Sequence, residues 1–255
     1  MVGRIAGVAL NTFREAVRDK VLLTLLVFAV VVMGGAKVVQ PVAMGEAAKI
    51  VKDLGLSAIT LFCVLIAILV GGRMVYKEVE KRTIYLVLAR PVRRSEFIVG
   101  KYLGLMAVLL VSVAVMTVAF YLILLLTAAQ PTFQLLWAVF LTYLELALLT
   151  AVAIMFSTFV TPIASAVFTF GVYFIGHSTP LLKQLAALST APVVKIIGLV
   201  LYYVLPNLEN FNLRGEVVHG VPLNPVAIGL STAYALVYVA TLLLISVVAF
   251  SRKDF

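Results

Sequence analysis

One acidic residue, Glu145, interrupts a long apolar run of this 255-residue sequence. The run covers residues 135–159, and its other members are apolar, small or hydroxyl-bearing. A charge within hydrocarbon costs about 2.5–3.5 kcal/mol on insertion scales, so this carboxyl group should be protonated, paired or turned toward a polar cavity. Two interpretations stay open. Glu145 is a pathway or gate residue, or it is a neutral acid bonded to a hydroxyl or backbone group near Thr142, Tyr143 or Thr150.

The two histidines and the single cysteine do not combine into a metal site. His177 lies in the stretch Gly-His-Ser-Thr-Pro at the end of an apolar run, and this position favours a hydrogen-bonded residue at a helix end. His219 lies in a polar stretch and is predicted to be solvated. Cys63 has no second cysteine with which to form a disulfide. We therefore predict no metal, no resident cofactor and no catalytic constellation in this chain.

A polar cluster follows Tyr203 in the second half of the chain. Its members are Asn207, Glu209, Asn210 and Asn212. One interpretation is an outer gate or a docking surface, with Tyr203 and Asn207 as candidate gate residues alongside Glu145. The other is a capped turn that closes a short helix, because Pro206 and Asn207 are ordinary turn residues.

The composition indicates what kind of element must position these residues. Hydrophobic residues make up 64% of the chain and charged residues 12%, against roughly 45–50% and 25% in soluble domains. The apolar runs are continuous rather than alternating, which favours helices over strands. We therefore predict an all-α fold, a single polytopic membrane domain over residues 1–255. Soluble enzymes and disordered chains are excluded.

Six membrane-spanning helices are predicted, because a bilayer core needs about 20 apolar residues per crossing. Their approximate ranges are 21–36, 53–73, 101–130, 135–159, 162–182 and 226–250. The apolar stretch 192–205 is too short to cross comfortably. It is typical of an interfacial or re-entrant helix, and a seventh span is the alternative.

The distribution of lysine and arginine predicts the orientation. With six spans, 14 of the 20 basic residues fall on the side of the two termini and six on the other. Cytoplasmic loops carry the excess of such residues, so both termini are predicted to be cytoplasmic in a cell membrane. Residues 183–225 then form the large extracytoplasmic segment. The net charge of +9 is thus a topology signal rather than a sign of nucleic-acid binding.

Residues 1–20 predict an amphipathic helix. Ile5, Val8 and Phe13 share one side at about 100° per residue, and arginines occupy the other. Such a helix suits the cytoplasmic interface of the lipid bilayer. The alternative is a helical extension of the first span.

The predicted cytoplasmic segment 73–101 holds eight of the 20 basic residues. Glu78 and Arg82 are four residues apart, in the order that supports a helix, and Pro91 ends that helix. We therefore predict a short helix over residues 76–91. An apolar patch with flanking charges suits docking in a groove of a soluble partner. The alternative is a solvated loop whose arginines follow the topology rule.

The sequence resembles the type-2 ABC transporter permease family. The matching residues are Glu78, Thr83, Leu86, Leu88, Pro91, Arg94, Gly100 and Lys101. Arg82 departs from the pattern, since the family often has glycine there. The stretch 205–212 is similar to one in the subgroup that includes the permease of nitrous-oxide-reductase maturation. The resemblance covers the whole chain, from the interfacial helix to the short charged tail.

That resemblance implies a homodimer of permease subunits, each bound to a separate cytoplasmic ATPase that holds ATP and Mg. Residues 76–91 would be the coupling helix, and its ATPase-binding residues would be Glu78, Arg82, Thr83, Leu86, Leu88, Pro91 and Arg94. The chain is not itself an ATPase, because Lys101 is followed by tyrosine and no phosphate-binding loop precedes it.

Two rival functions belong to other classes. One is an ATP-independent carrier or channel that uses Glu145 as a proton or ion site. The other is a mechanotransmitting assembly protein, in which the segment 183–225 moves against an extracytoplasmic partner and no solute crosses. The sequence does not identify a cargo.

Overall fold

The computed structural model describes residues 2–39, 46–80, 93–127, 130–188 and 191–252. Within these ranges every regular element is a helix. The helices are α1 (Val2–Val17), α2 (Lys20–Val39), α3 (Ala47–Glu80), α4 (Arg94–Leu126), α5 (Gln134–Ser157), α6 (Pro162–His177), α7 (Thr179–Leu188), α8 (Pro192–Val204), the 3₁₀ helix η1 (Leu208–Phe211), α9 (Arg214–His219) and α10 (Pro225–Ser251).

Four of these helices are long and apolar enough to cross a membrane. They are α3 as far as Arg73, α4, α5 and α10. The bent pair formed by α8 with the following segment, at 42°, makes a fifth if it is counted as one span. The apolar helices α2 and α6 are shorter. The all-α, polytopic membrane fold predicted from composition is therefore confirmed.

Helix α5 forms the core of the bundle. It packs against α3, α4, α6 and α10, and η1 and α9 also contact it. In its most apolar window 78% of the residues are buried, against 28% in α10. Side chains on the outer face of α10, such as Leu236 and Leu244, are exposed and apolar, which suits contact with lipid. A polar side chain on α5 must therefore find its partners within the protein.

The fifth predicted span ends earlier than expected. The prediction placed its end near residue 182, but α6 ends at His177 and a separate helix, α7, begins at Thr179. Pro180 is the cause, because proline has no N–H to donate to the preceding turn. The Thr179 hydroxyl donates instead to the carbonyl of Gly176 at 2.7 Å. The break leaves His177 at the end of α6.

The N-terminal helix α1 is a separate element and not an extension of the first span. Helical structure is interrupted between Val17 and Lys20. Asp19 Oδ1 accepts a hydrogen bond from the Val21 N–H at 2.9 Å, at the start of α2. The face that carries Val8 and Thr12 packs against α4. The apolar side of α1 is thus covered largely by protein.

Two glycines on α4 allow this close approach. A Cβ on Gly100 would lie 2.7 Å from Cβ of Val8, and one on Gly104 would lie 2.6 Å from the carbonyl oxygen of Ala9. Real Cβ atoms do not come this close to backbone, so α1 would have to move. Gly100, one of the residues that carry the family resemblance, is thereby explained by packing.

We expect Gly104→Val to loosen α1 from α4, with a loss of about 1–3 kcal/mol typical of overpacking. The measurement is the melting temperature of the protein purified in detergent. Gly7→Val on α1 is the matched control, because a Cβ there meets no atom within 4 Å. Equal melting temperatures for the two variants would contradict the contact.

One end of the bundle collects the short elements. Helices α3, α5 and α10 begin there, and α4 and α6 end there. η1 packs against α5 and α6, and α9 packs against α3 and α5. We call this the cap end.

Candidate functional site

Glu145 lies in the interior of the bundle. It is 11 residues beyond Gln134, the first residue of α5, and hence about 16 Å from the cap end of that helix. The residue is only 2% exposed. Because α5 is surrounded by other helices, this carboxyl group faces protein rather than lipid.

His177 joins Glu145 to a second carboxyl group. Its Nε2 lies 2.8 Å from Oε1 of Glu145, and its Nδ1 lies 3.1 Å from Oε2 of Glu209. A carboxylate oxygen only accepts hydrogen bonds. The arrangement therefore holds either an imidazolium between two carboxylates or one protonated carboxyl group. We call Glu145, His177 and Glu209 the Glu–His–Glu triad.

Local capping places Glu209 in the triad. The Asn207 side chain accepts a hydrogen bond from the Glu209 N–H at 3.1 Å and so begins η1. The Asn212 amide donates to Glu209 Oε1 at 3.0 Å. Leu208 and Phe211, on the same short helix, are fully buried. These contacts hold η1 against the bundle and aim the carboxyl group of Glu209 at His177.

A cavity of about 230 Å³ adjoins the triad at the cap end. Its lining combines α3, α5, α6 and the η1–α9 segment. The lining residues are Leu56, Thr60, Ala138, Thr142, Glu145, Tyr173, His177, Phe211, Asn212, Leu213 and Arg214. Arg214 is held by Asp53, at 3.2 Å from its Nε, and by the Ser57 hydroxyl, at 2.6 Å from Nη1.

A family model described as "Protein of unknown function (DUF2705)" matches residues 20–255. The chain belongs to this family. The match runs from the first residue of α2 to the end of the chain, so it includes every residue of the triad and of the cavity lining. A search of curated proteins finds no match to the chain.

The hydrogen-bond partners proposed for Glu145 from sequence are wrong. The Tyr143 hydroxyl donates to the carbonyl of Met106 at 3.1 Å, and the Thr150 hydroxyl donates to the carbonyl of Leu146 at 2.7 Å. Thr142 shares the cavity with Glu145 but makes no hydrogen bond to it. The partner is His177, from a different helix.

The remaining site predictions from the second half of the chain fall in different places. His177 is a hydrogen-bonded residue at a helix end, as predicted. Tyr203 is 78% exposed near the end of α8, with its ring against Tyr202, and it does not line the cavity. Asn207 caps η1, which confirms the capped-turn interpretation. A role for Tyr203 or Asn207 as a gate stays a prediction.

The predicted ATPase-binding residues are placed only in part. Residues 76–80, at the start of the predicted coupling helix, continue α3, so Glu78 belongs to that helix. Arg82, Thr83, Leu86, Leu88 and Pro91 lie outside the described residues. Arg94 donates from Nη1 to the carbonyls of Phe250 and Ser251 and so caps the end of α10.

No group of three or more histidine, cysteine or acidic side chains within the described ranges is arranged to hold a metal ion. In the triad the imidazole lies between the two carboxyl groups and uses both ring nitrogens to bond them. Both ring nitrogens of His177 are therefore occupied within the triad.

Proposed function

We propose that this DUF2705 protein is the membrane-spanning permease subunit of an ABC transporter whose ATPase is a separate polypeptide. The geometry of α3 supports this most directly. α3 runs unbroken from Ala47 to Glu80, seven residues beyond the end of its membrane-crossing part at Arg73. Its 34 residues span about 51 Å, against a bilayer core of about 30 Å. The helix thus carries the start of the charged segment 73–101 out of the hydrocarbon, where a soluble ATPase has access.

The packing of α1 supports the same proposal. The permease resemblance places an amphipathic N-terminal helix and a coupling segment on one membrane face. In the structure α1 lies against α4 at Gly100 and Gly104, where the charged segment 73–101 ends. A displacement of that segment would therefore reach α1 as well as α3.

The proposal includes a specific topology. The helices α2, α3, α4, α5, α6 and α10 cross the cell membrane, both termini are cytoplasmic, and the cap end faces outward. Two copies of the chain assemble with two ATPase subunits, which supply the ATP and Mg sites. The distribution of basic residues along the sequence supports this orientation, since 14 of the 20 fall before residue 21, within 73–101 or after residue 250.

A second candidate function is an ATP-independent carrier. The Glu–His–Glu triad favours it, because intramembrane carboxyl and imidazole groups in contact are typical of proton and ion pathways. The two functions differ in their need for a partner. A carrier works as the isolated chain, whereas the permease requires an ATPase for every cycle.

Co-purification tests the permease function. We expect the tagged chain, extracted from its native membrane, to retain a polypeptide with a Walker A motif that hydrolyses Mg-ATP. Leu86→Pro, and the double charge reversal Glu78→Lys with Arg82→Glu, should each reduce the recovered ATPase by about tenfold or more, since docked helices depend on a few anchor residues.

Arg252→Glu is the control for these charge reversals. Arg252 is exposed at the end of α10, on the same proposed membrane face, so its reversal should leave the ATPase bound. If wild-type protein brings down no ATPase, the permease function is wrong. If Leu86→Pro retains the ATPase at wild-type level, the coupling site lies elsewhere.

A further inference from the structure

The cavity at the cap end is surrounded by an excess of negative charge. The acidic groups at and around it are Glu145, Glu209 and Asp53, and the basic groups are Arg214 and His177. Arg214 is paired with Asp53 at the rim. Even with an imidazolium in the triad, one negative charge stays uncompensated beside the cavity. Glu209 and Asp53 are about half exposed, so water screens part of this excess. It still favours a cation over an anion in the cavity.

The geometry of Glu145 shows where that charge belongs. Its Oε1 shares a hydrogen bond with Nε2 of His177, whichever of the two groups carries the proton. No hydrogen bond from a described residue reaches Oε2, although the side chain is buried and lines the cavity. A buried acceptor left without a donor costs about 1–3 kcal/mol, and more when it is charged. A bound molecule that donates a hydrogen bond to Oε2 would remove this cost.

The rest of the lining limits what this molecule is. The Thr60 hydroxyl donates its hydrogen bond to the carbonyl of Leu56 at 3.1 Å. Toward the cavity, which Thr60 lines, this oxygen can therefore only accept. Leu56, Ala138 and Phe211 give the cavity an apolar side. Its volume of about 230 Å³ exceeds the ~30 Å³ share of one water molecule several times. The lining also contains Arg214, which is already bound by Asp53 and Ser57, and the hydroxyls of Thr142 and Tyr173, which can donate or accept. The carboxyl oxygen, the hydroxyl oxygens and the apolar side together suit a short organic amine.

We propose that this cavity binds a small organic cation with N–H donors, a primary ammonium on a short alkyl chain. The ammonium donates to Oε2 of Glu145 and to the Thr60 hydroxyl oxygen. The alkyl part lies against Leu56 and Phe211. This binding needs only the chain itself and occurs with or without an ATPase.

Thermal unfolding of the full chain in detergent tests the proposal, with ethylammonium chloride as the probe. Tetramethylammonium chloride and sodium chloride are compared at the same ionic strength and pH. A ligand that binds the folded state raises the melting temperature with the logarithm of its concentration above Kd. We expect this rise with ethylammonium alone, because tetramethylammonium has no N–H donor. Glu145→Gln should weaken the ethylammonium effect about tenfold or more, as expected for loss of a charged hydrogen-bond partner.

A second variant covers the case in which Glu145→Gln does not fold. Thr60→Leu places hydrocarbon in the cavity without altering the triad, and it should abolish the ethylammonium shift. Thr241→Leu is its control, since Thr241 is exposed on α10 and has the same hydroxyl-to-backbone hydrogen bond. Retention of the shift in Thr60→Leu would overturn the site. So would equal shifts with all three salts, or a melting temperature that responds to pH and not to ethylammonium.

Discussion

Replacing His177 by alanine should destabilise the protein by about 3–5 kcal/mol, the usual cost of removing one partner of a buried ion pair. The substitution leaves Glu145, only 2% exposed, without the donor that lies 2.8 Å from its Oε1. It also removes the hydrogen bond between the imidazole and Glu209. The melting temperature in detergent and the rate of proteolysis both measure the loss.

His219→Ala is the matched control, because this exposed histidine bonds only the carbonyl of Gly215 within its own helix turn. The double variant Glu145→Leu with His177→Leu should recover most of the stability, since apolar side chains often replace a buried pair at little cost. If His177→Ala and His219→Ala have the same melting temperature, the triad does not hold a buried ion pair.

Gly176→Val should move η1, and Glu209 with it, away from His177. A Cβ at this position would lie 2.7 Å from Cγ of Leu208 and 2.9 Å from the carbonyl oxygen of Pro206. Since backbone is involved, η1 has to move, and Glu209 moves with it away from His177. We expect a loss of about 1–3 kcal/mol from overpacking, increased by the lost hydrogen bond. The melting temperature measures it.

Gly171→Val tests whether valine itself harms α6, because a Cβ on Gly171 meets no atom within 4 Å. It should melt as the wild type does. Adding Glu209→Gln to Gly176→Val should then cost little more, since the contact between Glu209 and His177 is already broken. Full additivity of the two changes would show that η1 keeps its place.

The long helices could be predicted because each apolar run is continuous and bounded by charges. The lengths of these helices were harder to predict from the sequence. α3 begins at Ala47 and ends at Glu80, well beyond the uncharged part, because charged residues at helix ends extend into water without breaking backbone hydrogen bonds. The end of α6 depended on one residue, Pro180, which follows His177, Ser178 and Thr179 within the predicted span. Average hydropathy does not register the N–H that this residue lacks.

The triad was only partly predictable. Glu145 stood out as a carboxyl group in an apolar run, and His177 as a histidine at a helix end. Their contact joins positions 32 residues apart, and the contact of His177 with Glu209 spans another 32. Neither helical periodicity nor a local motif relates such positions. For Glu209 the sequence left two interpretations open, a gate or docking surface and a capped turn. The capped turn is present, but the contact with His177 depended on how η1 folds back onto α6.

The glycine pair in α3 has a mechanical consequence. A methyl group on Gly71 would lie 3.3 Å from Cβ of Ala153 on α5, and one on Gly72 would lie 3.3 Å from Oγ of Ser165 on α6. α3 is therefore pressed against its neighbours at this point, with Thr60 about 17 Å away in one direction and Glu80 about 12 Å away in the other. If α3 tilts as a rigid rod about this contact, a displacement of its Glu80 end moves Thr60 in the opposite direction. Because Thr60 is the more distant of the two, it moves somewhat further, and the cavity changes shape.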